Sequence, residues 1–251
     1  MPTEKITIEG SRGQQLSVRL DEPNGTTSGY AVFAHCFTCS KNSIAASRVS
    51  KALGERGMGT LRFDFTGIGE SGGDFAESNF GSDLDDLRRV CGWLGEHRQP
   101  PNLLVGHSLG GAAVLAVAGE MEGVRCVGTI GAPADPEHVS NLFEADRDTI
   151  EREGSAEVSL GGRPFRITRQ FLDDLGAHDP EKAIANLDRA LMIFHSPVDR
   201  VVGIDNAATI FGWARHPKSF VSLGDADHLL TDRKDAEFVA ATLAPWVERF
   251  G

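Results

Sequence analysis

Two hydrophobic rhythms divide the chain. Lys5–Glu9 and Gln14–Leu20 alternate apolar with polar residues, which predicts an N-terminal antiparallel pair of strands. Tyr30–Ala34 is a short apolar run and predicts a buried strand. Ser43–Arg56 then carries Ala45, Val49, Ala52 and Leu53 on one helical face and stops at Gly57. Thr60–Phe65 predicts another strand, and Phe80, Leu84, Leu87, Cys91 and Leu94 return to helical spacing behind an acidic first turn. Asn102–Val105, Val124–Ile130, Ala190–Phe194 and Lys218–Leu223 read as further strands. Phe238, Val239, Thr242, Leu243, Trp246 and Val247 mark a closing helix. Strands alternating with helices predict an α/β fold with a mostly parallel sheet flanked by helices.

The stretch 133–187 breaks this alternation. It is rich in Arg, Asp and Glu, with scattered anchors at Leu142, Phe143, Ile150, Phe165, Ile167, Phe171 and Leu172. An insertion after strand 6, between two core strands, is where a cap would fold over a site. The expected organisation is a core of 1–132 and 188–251 with a cap insertion of 133–187.

Composition narrows the partners. With 251 residues and 40% hydrophobic content, one α/β domain with an insertion is expected. The 25 basic and 36 acidic residues leave a charge of −11, which argues against nucleic acid or an anionic membrane surface as partner. Met1-Pro2-Thr3-Glu4-Lys5 leads straight into strand-like sequence, so no signal peptide is read. Four cysteines without a leader predict a reducing, cytoplasmic setting rather than a disulfide scaffold. Oligomeric state is left open, a homodimer included.

The chemistry centres on Gly106-His107-Ser108-Leu109-Gly110. This G-x-S-x-G follows an apolar strand and opens the helical run Gly111–Ala118, the context of a sharp turn that lifts a serine oxygen clear of a sheet. Ser108 at a helix N-terminus meets free amides and the positive end of the dipole, which favour developing negative charge. A serine hydroxyl needs a base, and the base needs an orienting acid. In the sheet plan that hosts this turn, the chain order is serine, acid, histidine. Asp199, in the loop after Ala190–Phe194, and His228, after Lys218–Leu223, fit that order. Asp225 and Asp227 are rival acids, although Asp227 directly precedes His228 and reaches its Nδ1 side with difficulty. The Leu109 amide and the Phe37 amide, in the loop after Tyr30–Ala34, are the expected oxyanion donors. His107 reads as a packed residue of the turn.

Two further motifs compete for attention. Gly67-Ile68-Gly69-Glu70-Ser71-Gly72 matches G-x-G-x-x-G, but the dinucleotide fingerprint needs a helix opening at its last glycine. Here the helix begins near Phe80, so a structural loop is expected. Cys36-Phe37-Thr38-Cys39 has the form of a redox C-x-x-C, yet packing thiols are the plainer expectation. Cys91 and Cys126 are isolated, so no zinc site is expected. Nothing calls for a metal or cofactor. Arg163, Arg166 and Arg169 read as a solvated face.

With these residues in place, the chain resembles the α/β-hydrolase superfamily. More narrowly, Ala34-His35-Cys36-Phe37-Thr38-Cys39-Ser40-Lys41 and Val202-Gly203-Ile204-Asp205-Asn206-Ala207 resemble the hydrolase domain of bacterial α/β hydrolase–OsmC fusion proteins. The resemblance implies an α/β-hydrolase fold and an esterase-like Ser-Asp-His hydrolase, with Ser108, Asp199 and His228 at the triad positions. It also implies a functional link to an OsmC-type domain absent from this chain. The expected function is a carboxylesterase-like serine hydrolase acting on a small-molecule ester of small or medium acyl chain. A thioesterase or acyl transferase would use the same triad, and a redox-sensing protein would use Cys36 and Cys39 instead.

Overall fold

The computed structural model describes all residues, Met1–Gly251. The elements run β1 (Thr3–Glu9), β2 (Gln15–Asp21), β3 (Gly29–Ala34), α1 (Ile44–Gly54), β4 (Met58–Phe63), α2 (Phe80–His97), β5 (Leu103–His107), α3 (Leu109–Val117) and β6 (Cys126–Ile130). Next come 3-10 turns over Pro136–Asp146, α4 (Arg147–Glu153), β7 (Ser155–Leu160), β8 (Arg163–Thr168), α5 (Arg169–Leu175) and α6 (Pro180–Ala185). The chain closes with β9 (Ala190–His195), α7 (Asp205–Trp213), β10 (Lys218–Ser222) and α8 (Arg233–Phe250).

Eight strands form one sheet in the order β1-β2-β4-β3-β5-β6-β9-β10. The N-terminal pairings β1·β2 and β2·β4 are antiparallel, and from β4 to β10 every neighbour is parallel. Side chains along the central strands divide between two cores. Val32 and Leu104 point into one and Ala31, Phe33, Leu103 and Val105 into the other, so both faces are covered and the runs are apolar throughout. One core lies beneath α2, α3 and the insertion; the other lies beneath α1 and α8.

Local signals set the helix starts. Ser43 caps α1 by accepting from the Ala46 amide, and Asn79 with Ser82 forms a reciprocal capping box at α2. Strand β4 ends two residues before the expected Phe65, because the chain leaves the sheet at Asp64. The Asp64 carboxylate is buried and turned to Lys41.

Residues 133–187 add a second, two-stranded sheet outside the main one. Strands β7 and β8 form a separate antiparallel hairpin, closed by Gly161-Gly162, both at positive φ as a tight two-residue turn requires. Val158, Leu160, Ile167, Phe171 and Leu175 of this segment are buried in the larger core. No helix is long and apolar enough to cross a membrane.

Candidate active site

Ser108 stands between β5 and α3 with φ 54° and ψ −125°, a left-handed backbone that costs a non-glycine residue about 1–3 kcal/mol. The flanking glycines make the turn feasible. A Cβ on Gly106 would run into the backbone of Gly110, and one on Gly110 into the carbonyl oxygens of Ala34 and His35. The turn is tied to the neighbouring strand by Ser108 N–H donating to the Ile130 carbonyl at 2.9 Å.

Across the ends of β6, β9 and β10 lies the acid–base pair. His228 Nδ1 is 2.7 Å from Asp199 Oδ2, with the carboxylate 2% and the imidazole 8% exposed. The other carboxylate oxygen accepts from the amides of Val201 at 2.8 Å and Val202 at 3.0 Å. Burial opposes charge on Asp199, but the bonds from His228 and the two amides outweigh it and hold the carboxyl below its ordinary value. Gly131 is pressed against this pair: a Cβ there would sit 3.2 Å from both Asp199 Oδ2 and His228 Nδ1. Since Ile130 holds Ser108 and Gly131 abuts His228, one strand end joins the serine turn to the pair. Asp227, the rival acid, spends its carboxylate on the amide and hydroxyl of Thr231.

His107 is more than a packed residue. Its Nε2 lies 2.7 Å from the His228 carbonyl oxygen, and Nδ1 is buried without a partner. Burial, then the neighbouring His228, lowers its pKa to about 3, so it is neutral and donates from Nε2–H.

Phe37 and Leu109 face a common small cavity with His35, Phe65, Phe75 and Ala113. Leu109 opens α3, so its amide has no intrahelical acceptor, and the Phe37 amide donates to no protein group. His35 Nδ1 lies 2.8 Å from the Cys36 carbonyl oxygen. In the planar trans peptide that carbonyl and the Phe37 N–H point in opposite directions, so fixing one fixes the other. Asp83 lines the same cavity, its pKa pushed well above the ordinary carboxylate value by burial and then by Asp86 and Asp174. A larger cavity of about 480 Å³ opens between α2, α3 and α6 and is not lined by Ser108, Asp199 or His228.

One expectation needs correction. Cys36 and Cys39 are joined in a disulfide rather than free, because the turn between them brings their Cα atoms to 5.3 Å. Cys91 and Cys126 are free and buried. The three arginines are exposed, as expected of a solvated face, and Arg163 also donates to the Thr38 carbonyl and lies 5.2 Å over the Phe165 ring. Arg166 bonds Ser155, and Arg169 pairs loosely with Asp173 at 3.7 Å.

The loop Gly67–Gly72 wraps an internal anion. Glu70 N–H donates to Asp64 Oδ2 at 2.9 Å, and a Cβ on Gly69 would run into that carboxylate. Lys41 pairs with the same group, 1% exposed on each side, and reaches Glu70 at 2.8 Å. Neither sequence motif nor spacing marks this ion pair.

A parallel sheet with a strained serine turn after a central strand, and an Asp–His pair after later ones, has the architecture of an α/β hydrolase. The chain belongs to the alpha/beta hydrolase family, whose model matches residues 31–250. It is similar to the esterase domain of a Rhodothermus marinus protein, at 48% identity and a TM-score of 0.81, covering 100% of this chain and 99% of that one. It is 25% identical over 250 residues to the mitochondrial palmitoyl-protein thioesterase ABHD10 of Mus musculus, covering 95% of this chain and 82% of that protein. The Salmonella typhimurium protein YfhR is 26% identical over 182 residues, where the match spans 70% of this chain and 57% of YfhR.

Proposed function

We propose that this protein is a carboxylesterase-like serine hydrolase that cleaves esters of small or medium acyl chain through an acyl-enzyme. The observation that carries the reading is the His228–Asp199 bond of 2.7 Å beside a serine held at positive φ. Ser108 Oγ attacks the ester carbonyl while His228 Nε2 takes its proton and passes it to the leaving alcohol. Asp199 accepts from His228 Nδ1–H, which selects the tautomer with a free Nε2 and stabilises the imidazolium as it forms. The Phe37 and Leu109 amides donate to the oxyanion. Water, activated by the same imidazole, then releases the acid and restores Ser108. Residues 133–187 act as the cap, shielding this chemistry from solvent. The similarity to an esterase domain favours oxygen esters.

The thioesterase reading uses the same residues and draws on the similarity to ABHD10. A panel of p-nitrophenyl esters and acyl thioesters of increasing chain length, combined with fluorophosphonate labelling, tests both. Labelling at Ser108 with fastest turnover of short oxygen esters is expected. Labelling at another residue, or none in folded protein, would overturn the nucleophile; a strong preference for thioesters would favour the second reading.

A further inference from the structure

The four residues Cys36–Cys39 form a turn closed in three ways. Cys39 N–H donates to the Cys36 carbonyl at 3.0 Å, the disulfide joins the ends, and His35 Nδ1 holds the same carbonyl at 2.8 Å. Within the turn Thr38 sits at φ 58°, a left-handed conformation that a β-branched residue adopts only when its surroundings impose it. The turn is also one of the places where the insertion touches the core. Arg163 of β8 donates to the Thr38 carbonyl, and the Phe37 ring packs against Phe75 and Phe171 with centroids 5.7 and 5.5 Å away. One short loop therefore carries a proposed oxyanion donor, an anchor for the cap and a breakable covalent bond. Its sulfurs differ in access: Cys36 is buried at 5% exposure, whereas Cys39 is half-buried.

We propose that the Cys36–Cys39 disulfide is a thiol-exchange site through which a dithiol reductant lets the Phe37 amide tilt from its oxyanion position and loosens the cap. Its effect on rate rests on the serine-hydrolase reading. A thiolate of the reductant attacks Cys39 Sγ, the more accessible sulfur, and forms a mixed disulfide. The old S–S bond breaks with its electron pair on Cys36 Sγ, which takes up a proton. The reductant's second thiolate then attacks its own sulfur of the mixed disulfide, and the Cys39 thiolate departs and is protonated. The protein gains two electrons and two protons, and the dithiol becomes its cyclic disulfide. A disulfide oxidant reverses both steps. With the covalent link gone, Thr38 is free to leave its left-handed conformation. That rotation turns the Thr38 carbonyl away from Arg163 and opens the bond from Cys39 N–H to Cys36. The Cys36–Phe37 peptide then keeps only its bond from His35.

The test titrates the oxidised wild-type protein with dithiothreitol under native conditions. Thiol alkylation read by mass spectrometry and initial rates on a short p-nitrophenyl ester are followed together. Cys36 and Cys39 should become alkylated as a pair while Cys91 and Cys126 stay protected. Over the same range kcat should fall roughly tenfold, short of the 10²–10³-fold expected for loss of a whole oxyanion donor, with KM changing less. Reoxidation should restore the rate. A Cys36→Ser/Cys39→Ser protein should show the reduced rate and no response to the dithiol. Resistance of the pair to native reduction would overturn the exchange site. Fluorophosphonate labelling separates the remaining cases. A protein that labels and turns over equally in both states overturns the switch alone. One that never labels overturns the hydrolase reading and the rate effect with it.

Discussion

The imidazole of His107 is hydrogen-bonded to the main-chain carbonyl of His228, 2.7 Å from Nε2 to oxygen, across 121 residues of chain. The residue before the serine thereby fixes the backbone of the histidine proposed to activate that serine. His107→Phe keeps the bulk and deletes the donor, leaving the carbonyl short of a partner at a cost of about 1–3 kcal/mol. It should also let His228 drift, lowering kcat roughly ten- to a hundredfold with KM less affected. His107→Gln, which keeps a donor, should recover part of the loss. Urea unfolding and steady-state kinetics on the three proteins check this; wild-type kcat in His107→Phe would refute the positioning role.

Ser108→Ala should end ester turnover without unfolding the protein. Ser108→Gly should be equally inactive yet more stable than Ser108→Ala, by about 1 kcal/mol, because glycine accepts the positive φ without strain. Thermal and urea unfolding of the pair measures the difference. An alanine variant that still hydrolyses esters would exclude Ser108 as nucleophile.

Asp199→Asn should lower turnover by orders of magnitude, about 10⁴-fold in the best-studied triad, since an amide can hold the imidazole in the wrong tautomer. Asp227→Asn should have little effect, because that carboxylate serves the amide and hydroxyl of Thr231. Matched kcat measurements on both variants and Asp225→Asn decide the acid; the reverse ranking would move the assignment to the loop beside His228.

The buried imidazoles should make the fold lose stability in mild acid. Burial holds the pKa values of His35, His107 and His195 below the ordinary 6.5, that of His107 at about 3. An unfolded chain therefore binds protons at these imidazoles that the folded one refuses as pH falls below about 6.5. For His107 this costs about 1.4 kcal/mol per pH unit, while the buried Asp83 carboxyl, raised well above its ordinary value, works in the opposite direction. Asp199 acts with the opposite sign: its depressed pKa stabilises the fold above the unfolded carboxylate value and is lost only in stronger acid. Urea unfolding at neutral pH and at about pH 5 should show the histidine slope, reduced by one proton in His107→Phe. A slope unchanged in His107→Phe would mean that this imidazole accepts a proton in place.

Much of the scaffold was legible because it rests on local rules. The central strands are short and apolar since both sheet faces are covered, and the glycines around Ser108 are demanded by backbone contact. That Ser108, Asp199 and His228 each follow a strand could be read from the apolar runs before them, while their grouping rested on the chain order of the hydrolase plan. What stayed hidden depends on distant partners. Nothing near His107 in sequence points to a carbonyl 121 residues away. A C-x-x-C reads the same whether its thiols are joined or free, so the turn that brings Cys36 and Cys39 together was invisible. The arginines of 163–169 do form an exposed face, but residue type could not reveal that Arg163 also reaches the loop holding Thr38. The Lys41–Asp64 pair was missed because two charged residues 23 positions apart carry no sign of being buried.

The order of strands across the sheet has a consequence for when the protein becomes competent. Phe37 follows β3, Ser108 follows β5, Asp199 follows β9 and His228 follows β10, the edge strand, so sequence order and spatial order run together. A growing chain therefore acquires the serine turn well before the proposed base, which comes last. The partial sheet that ends at β6 holds the strained serine without the proposed base, so on the serine-hydrolase reading the half-made chain turns over no ester. Long-range parallel pairing is slow to form. Recovery of turnover during refolding should therefore trail the return of helical signal, making activity a clock for the docking of the last edge.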